Sequence, residues 1–137
     1  MSGNFIDSLI SAFPDVPCQK LLGIQIVSVT RDKAVVRLPF RAELAGGGNA
    51  LHGGTISSLL DLTGALAAWS GHDPSRGMKA ATVSMTVNYL SAALGCDIIA
   101  SATAVKRGRE LIFTEVAISE ESSGRPIANG TMVYRIA

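Results

Sequence analysis

Apolar residues recur at helical spacing over residues 4–13, NFIDSLISAF, where Phe5, Ile6, Leu9, Ile10 and Phe13 share a face. Pro14 stops the run, which predicts a short amphipathic helix at the N-terminus. VPCQKLLG then reads as a linker. GIQIVSVT and KAVVRLPF read as strands separated by the two-residue turn Arg31-Asp32. In the second strand Ala34, Val36, Leu38 and Phe40 alternate with Lys33, Val35, Arg37 and Pro39, the half-buried pattern of an antiparallel sheet. TVSMTVNYL puts Val83, Met85, Val87 and Tyr89 on one face, with Thr82, Ser84, Thr86 and Asn88 on the other. DIIASATAV, LIFTEVAIS and IANGTMVYRI follow as strands, with turn signals at Gly95, Gly108 and Ser122-Ser123-Gly124.

The remaining long element behaves differently. Residues 51–70 read as one helix of small and apolar residues, ended by Gly71 and Pro74. It has no charged outer face, so it must be covered on most sides. The economical cover is an antiparallel sheet of five or six strands curled around it. The expected architecture is therefore α+β: one domain over residues 1–137, with a curled sheet wrapped on a central helix and a short helix in front.

Composition narrows the function classes. With 47% hydrophobic residues and a net charge of +1, the chain has neither the profile of a disordered segment nor the basic footprint of a nucleic-acid binder. The N-terminus lacks a basic region and carries Asp7, so no signal peptide is expected. Asp61, the glycines and the serines of the long helix speak against a membrane span, and the expected location is the cytoplasm. Cys18 and Cys96 have no metal-ligand spacing and read as packed thiols in a reducing compartment. His72-Asp73 reads as a cap and turn, so no metal is expected.

Asp61 is the only carboxylate of the long helix. Its neighbours three and four residues away are Ser57, Ser58, Gly64 and Ala65, with Gly54 and Ala68 further along the same lane. Two readings follow. Asp61 is either a structural acid, bonded to Ser57 or to backbone where another element packs, or a functional group kept despite the cost of desolvating a carboxylate with no Lys or Arg on its helix. Gly53 and Gly54 open the helix, where backbone N–H groups lack intrahelical partners and suit an oxyanion. His52 stands just before them, as a structural residue or as part of that site. Gly53 and Asp61 are eight residues apart, roughly 12 Å along a helix, whereas attack and oxyanion contact each need about 3 Å. If both act on one substrate, they come from different chains, as in a two-fold dimer with antiparallel central helices.

LHGGTISSLLDLTGALAA resembles the HGG…D motif of hotdog-fold acyl-CoA thioesterases, in the branch of the phenylacetyl-CoA and 4-hydroxybenzoyl-CoA enzymes. KLLGIQIVSV is similar to that family's first strand, ATVSMTVNYLSAALG to the strand after the helix, and AVKRGRELIFTEVAI to the paired strands beyond. The resemblance implies a hotdog fold and hydrolysis of an aromatic or medium-chain acyl-CoA to free acid and CoA. It implies Asp61 as general base or nucleophile, the Gly53 N–H as the group polarising the thioester carbonyl, His52 beside it, and Thr82 placing the attacking water. It implies Asn49, Gly54 and the turn Lys106, Arg107, Gly108 and Arg109 as substrate contacts, the turn lying near the CoA phosphates; read without the family, that turn is a solvated hairpin end. It also implies a homodimer with shared sites, assembled as a dimer of dimers into a tetramer, and no cofactor besides the substrate's own CoA. The family often has an asparagine six residues before the histidine; here that position is Gly46, and Asn49 lies three residues before. Either the loop bends so that Asn49 substitutes, or the contact is missing. The competing readings are a non-catalytic hotdog module that binds acyl-CoA and a hotdog dehydratase, which would need a second acid. Asp61 together with the HGG donors favours the hydrolase.

Overall fold

A computed structural model describes residues 2–137, with side chains from residue 5 onward. The order is α1 (Ser2–Ala12), α2 (Pro17–Leu22), β1 (Gln25–Thr30), β2 (Lys33–Leu38), α3 (Gly53–Ser70), β3 (Ala80–Tyr89), β4 (Ile98–Arg107), β5 (Leu111–Glu120) and β6 (Pro126–Ile136). The six strands form one antiparallel sheet ordered β1-β2-β4-β5-β6-β3. It curls around α3, whose Leu59, Leu60, Leu66, Ala67 and Ala68 are fully buried. The expected wrapped helix is present.

Glycine sets how closely helix and sheet approach. A Cβ on Gly64 would stand 2.0 Å from Met132 Sδ and 2.9 Å from Thr114 Oγ1, so α3 meets β5 and β6 without a side chain between them. The far end of α3 is tied to the β1–β2 turn, where Asp32, in the left-handed region at φ 66°, donates its N–H to Ser70 Oγ at 2.9 Å.

Four expectations are corrected. The stretch read as a linker holds α2, which has Pro17 at its first turn and Gly23 closing it at φ 78°; six residues are too few to show a helical period, and the Pro–Gly bracket was the available signal. The long helix begins at Gly53 rather than Leu51, because Leu51 bridges to Ala45 and donates its N–H to Ala93 O. A register shift between Thr82 and Ser84 turns Thr82 onto the helix-facing side of β3, the side of Val87 and Tyr89, instead of the opposite one. Cys18 is exposed rather than packed, since α2 presents it to solvent; Cys96 is half-buried, its thiol pushed up by burial and by Glu120. Among the described residues no helix is long and apolar enough to cross a membrane.

Candidate active site

Two groups of residues, at different heights on α3, hold the candidate catalytic residues. The first is the helix start. His52 caps it in an extended conformation, and its Nδ1 accepts the Gly54 N–H at 2.9 Å. The His52 carbonyl accepts from Thr55 N and Ile56 N. The first turn is thereby satisfied except at Gly53, whose N–H has no protein acceptor among the described residues. Tyr89, at the end of β3, lays its ring 3.6 Å from where a Gly53 Cβ would stand and donates its hydroxyl to Gly53 O at 3.1 Å. The Gly53–Gly54 peptide is held at its oxygen by Tyr89 and at its nitrogen by His52. What remains free is one backbone donor in a fixed orientation.

The loop before the helix places Gly46 against the His52 ring, with 3.4 Å between a built Cβ and His52 Cδ2. The Asn49 side-chain amide lies instead against Gly95, 3.1 Å from a built Cβ there, and Asn49 O accepts the Gly95 N–H. Asn49 thus packs on the neighbouring loop, and glycine occupies the place beside the histidine.

The second group surrounds Asp61. The carboxylate is half-buried, and its Oδ1 accepts a hydrogen bond from Thr82 Oγ1 at 2.7 Å. Ser57 and Ser58 do not serve it; both hydroxyls donate to Gly54 O, at 3.1 and 2.7 Å. Asp61 Oδ2 has no protein donor among the described residues. Asp61 and Thr82 stand on the wall of a cleft of about 460 Å³ between the N-terminal helices and α3. Leu9, Phe13 and Val16 form one side, Leu62, Ala65 and Trp69 the other, with Gln19, Met78 and Tyr134 completing it. Trp69 Nε1 donates to Tyr134 Oη at 3.2 Å. Burial pushes the Tyr134 phenol up, the Trp69 hydrogen bond opposes this, and the charge of Asp61 adds to the rise.

The basic turn divides. Arg107 is committed to Asp32 Oδ1 at 2.6 Å, joining the end of β4 to the β1–β2 turn. Lys106 is exposed, its Nζ 5.9 Å from the Phe113 ring centroid, and Arg109 is exposed at the turn itself. Gly108 closes the turn through its N–H to Leu111 O. His72 pairs with Gly77 O at 2.6 Å, and Asp73 caps the turn at Ser75.

Asp61 and Thr82 are therefore in contact, His52, Gly53 and Gly54 form a second unit, and the two units do not touch within one chain. Sequence reasoning did not single out Tyr89, Trp69, Gln19 or Tyr134. Tyr89 lies inside the quoted VNYL segment, but its grip on Gly53 depends on where β3 ends relative to α3. Tyr134 carries no local signal at all.

The Thioesterase superfamily profile matches residues 48–127, the span from the glycine loop to the start of β6. Human acyl-coenzyme A thioesterase 13 is 32% identical over 114 residues, covering 82% of this chain and 79% of that protein. Acyl-coenzyme A thioesterase PaaI of Escherichia coli is 30% identical over 89 residues, covering 65% of this chain and 60% of that protein. Among solved structures, a thioesterase family protein from Silicibacter pomeroyi superimposes over 100% of both chains with a TM-score of 0.87 at 25% identity. The E. coli PaaI protein superimposes with a TM-score of 0.84 at 23% identity over 99% of this chain and 93% of that one, a likeness of fold.

Proposed function

The chain belongs to the Thioesterase superfamily and is a thioester hydrolase, and from that premise we propose that it hydrolyses an aromatic or medium-chain acyl-CoA at a site shared between two copies of the chain. The observation that carries this reading is the Asp61–Thr82 pair at 2.7 Å on the wall of an apolar cleft. Asp61 Oδ2 takes a proton from a water held beside Thr82. The water oxygen attacks the thioester carbonyl carbon, and the carbonyl oxygen gathers negative charge against the Gly53 N–H. The C–S bond then breaks, and the Asp61 carboxyl returns its proton to the leaving CoA thiolate, giving free acid and CoA. Among the described residues no second acid lines the cleft, which favours hydrolysis over dehydration.

The donor and the acid belong to different subunits in this reading. On α3 they are eight residues apart, roughly 12 Å. β3 connects the two units differently: Thr82 touches Asp61 near one end of the strand, and Tyr89 touches Gly53 at the other. Antiparallel pairing of two β3 edges sets the Thr82 end of one copy opposite the Tyr89 end of its partner, so each Asp61 faces the partner's Gly53. Two such dimers make the expected tetramer. Lys106 and Arg109, both exposed at this turn, are offered to the CoA phosphates, while Arg107 is paired with Asp32. The free thiols of Cys18 and Cys96 suit the cytoplasm, and no cofactor enters the scheme.

The test is Asp61→Asn, nearly isosteric but unable to act as base. Turnover of the best acyl-CoA should fall by more than about a hundredfold with the fold intact. Activity within about tenfold of the parent would remove Asp61 from the chemistry. A nucleophilic role for Asp61 has its own signature in the parent enzyme: if an anhydride forms and water attacks its aspartyl carbonyl, a single turnover in ¹⁸O-water labels the Asp61 carboxylate, which a general base never acquires.

A further inference from the structure

We propose that Tyr134 is a specificity-determining residue, which makes the enzyme prefer acyl groups bearing a hydrogen-bond-accepting oxygen at the end remote from the thioester. The inference rests on the proposed hydrolysis at Asp61 and concerns the far end of the same cleft. That cleft follows α3 from Asp61 past Ala65 to Trp69. Eight residues of helix separate its ends, roughly 12 Å of rise, so an acyl group attached at Asp61 extends toward the indole.

There the walls stop being purely apolar. Tyr134 is the cross-strand partner of Thr82, which places the root of its side chain beside the acid-holding residue, while its tip reaches Trp69. The indole N–H donates to Tyr134 Oη at 3.2 Å, which fixes the hydroxyl oxygen as an acceptor in that bond. Its own proton has no acceptor among the described residues. Burial, the largest influence on the group, keeps the phenol protonated, and the Asp61 charge acts in the same direction. In the open cleft water takes this proton. An acyl chain filling the cleft displaces that water, and a chain of carbon and hydrogen alone leaves the donor unpaired. A chain with an ether, ketone or hydroxyl oxygen at that depth replaces the lost bond. A site with a fixed donor discriminates by what it leaves unpaired, more sharply than an apolar pocket discriminates by size.

The experiment compares matched substrates that differ by one oxygen: 4-methoxyphenylacetyl-CoA against 4-ethylphenylacetyl-CoA, and 7-oxooctanoyl-CoA against octanoyl-CoA. The aromatic and straight-chain pairs separate the two kinds of acyl group that could supply the oxygen. In at least one pair the oxygen-bearing member should have a kcat/KM about tenfold higher, the size of one neutral hydrogen bond. In Tyr134→Phe, which keeps the ring against Trp69, the ratio should collapse to within about twofold. The readout is a ratio within one variant, so partial loss of folded enzyme does not move it. An unchanged ratio in Tyr134→Phe overturns the inference, as does an equal loss on both members, which would place the residue at Asp61 instead. If the parent shows no oxygen preference in either pair while Asp61→Asn is inactive, the inference fails and the hydrolase reading stands. If Asp61→Asn retains its activity, the underlying reading fails first.

Discussion

β2 lies inside the sheet, between β1 and β4, and its apolar side, Ala34, Val36 and Leu38, is sealed against the core, with Val36 and Leu38 at 0% exposure. β3 lies at the sheet's edge with β6 as its one neighbour, and leaves Val83 54% and Met85 38% exposed. Both strands alternate apolar and polar residues in sequence. The difference shows that such a pattern specifies that a face is to be covered, and leaves open which chain covers it. A ten-residue edge strand with exposed apolar side chains is a template for pairing. β3 also carries Thr82 and Tyr89, so in the proposed shared site the chain that covers it completes the site. β2 is closed by folding; in the proposed dimer β3 is closed by assembly.

Substitutions of the same kind on the two strands should break different things. Val36→Asp puts an unpaired carboxylate where no water reaches, a change costing at least about 4 kcal/mol, a large share of a domain's stability. It should give little soluble protein and no cooperative melting transition. Val83→Asp, on the open edge, should leave the circular dichroism of the chain native while shifting sedimentation toward the monomer, with activity falling more than about tenfold at micromolar concentration. A monomeric Val83→Asp with full activity would separate the edge from the site. Tyr89→Phe keeps the ring on Gly53 and removes only the hydroxyl that holds its carbonyl. We expect kcat to drop about tenfold with KM within twofold, less than the loss of an oxyanion donor itself. Smallest is the effect of Lys106→Ala with Arg109→Ala: KM for CoA thioesters should rise about threefold, less so at high salt and not for pantetheine thioesters, which lack the distal phosphates. Arg107→Ala should instead lower the melting temperature, because it breaks the pair with Asp32.

The same contrast explains what the sequence could tell. The strands and α3 were legible because each repeats its period several times, and even the six residues of β1 and β2 hold three repeats of a two-residue period. α2 was not, since six residues hold fewer than two turns of helix. The face of Thr82 was misread because one bulge residue inverts the alternation, and nothing in TVSMTVNYL marks it. At the site, Asp61, His52 and Gly53 stood out as chemistry out of place in a small apolar helix. Their partners carried no such local signal: Thr82 was named only through the family resemblance and, rather than Ser57, is the residue bonded to Asp61, while Tyr89 and Tyr134 reach the site by strand pairing across the sheet. Local pattern identifies groups that need a partner; the partner itself is a property of the fold.

The central claim is that each site takes its acid from one chain and its backbone donor from another. It is tested by mixing two inactive variants, Asp61→Asn and Gly53→Val. A Cβ at 53 would meet the Tyr89 ring at 3.6 Å, an ordinary contact, so the chain can fold while the two methyl groups beyond it crowd the Gly53 N–H. Both variants should fold and dimerise while remaining inactive alone. In a mixed dimer one site carries both defects, and the other pairs an intact Asp61 with an intact Gly53. Random exchange of equal amounts makes about half of the dimers mixed, so roughly a quarter of parental activity should return once native mass spectrometry shows the mixed species. Verified mixed dimers as inactive as either parent would contradict the shared site.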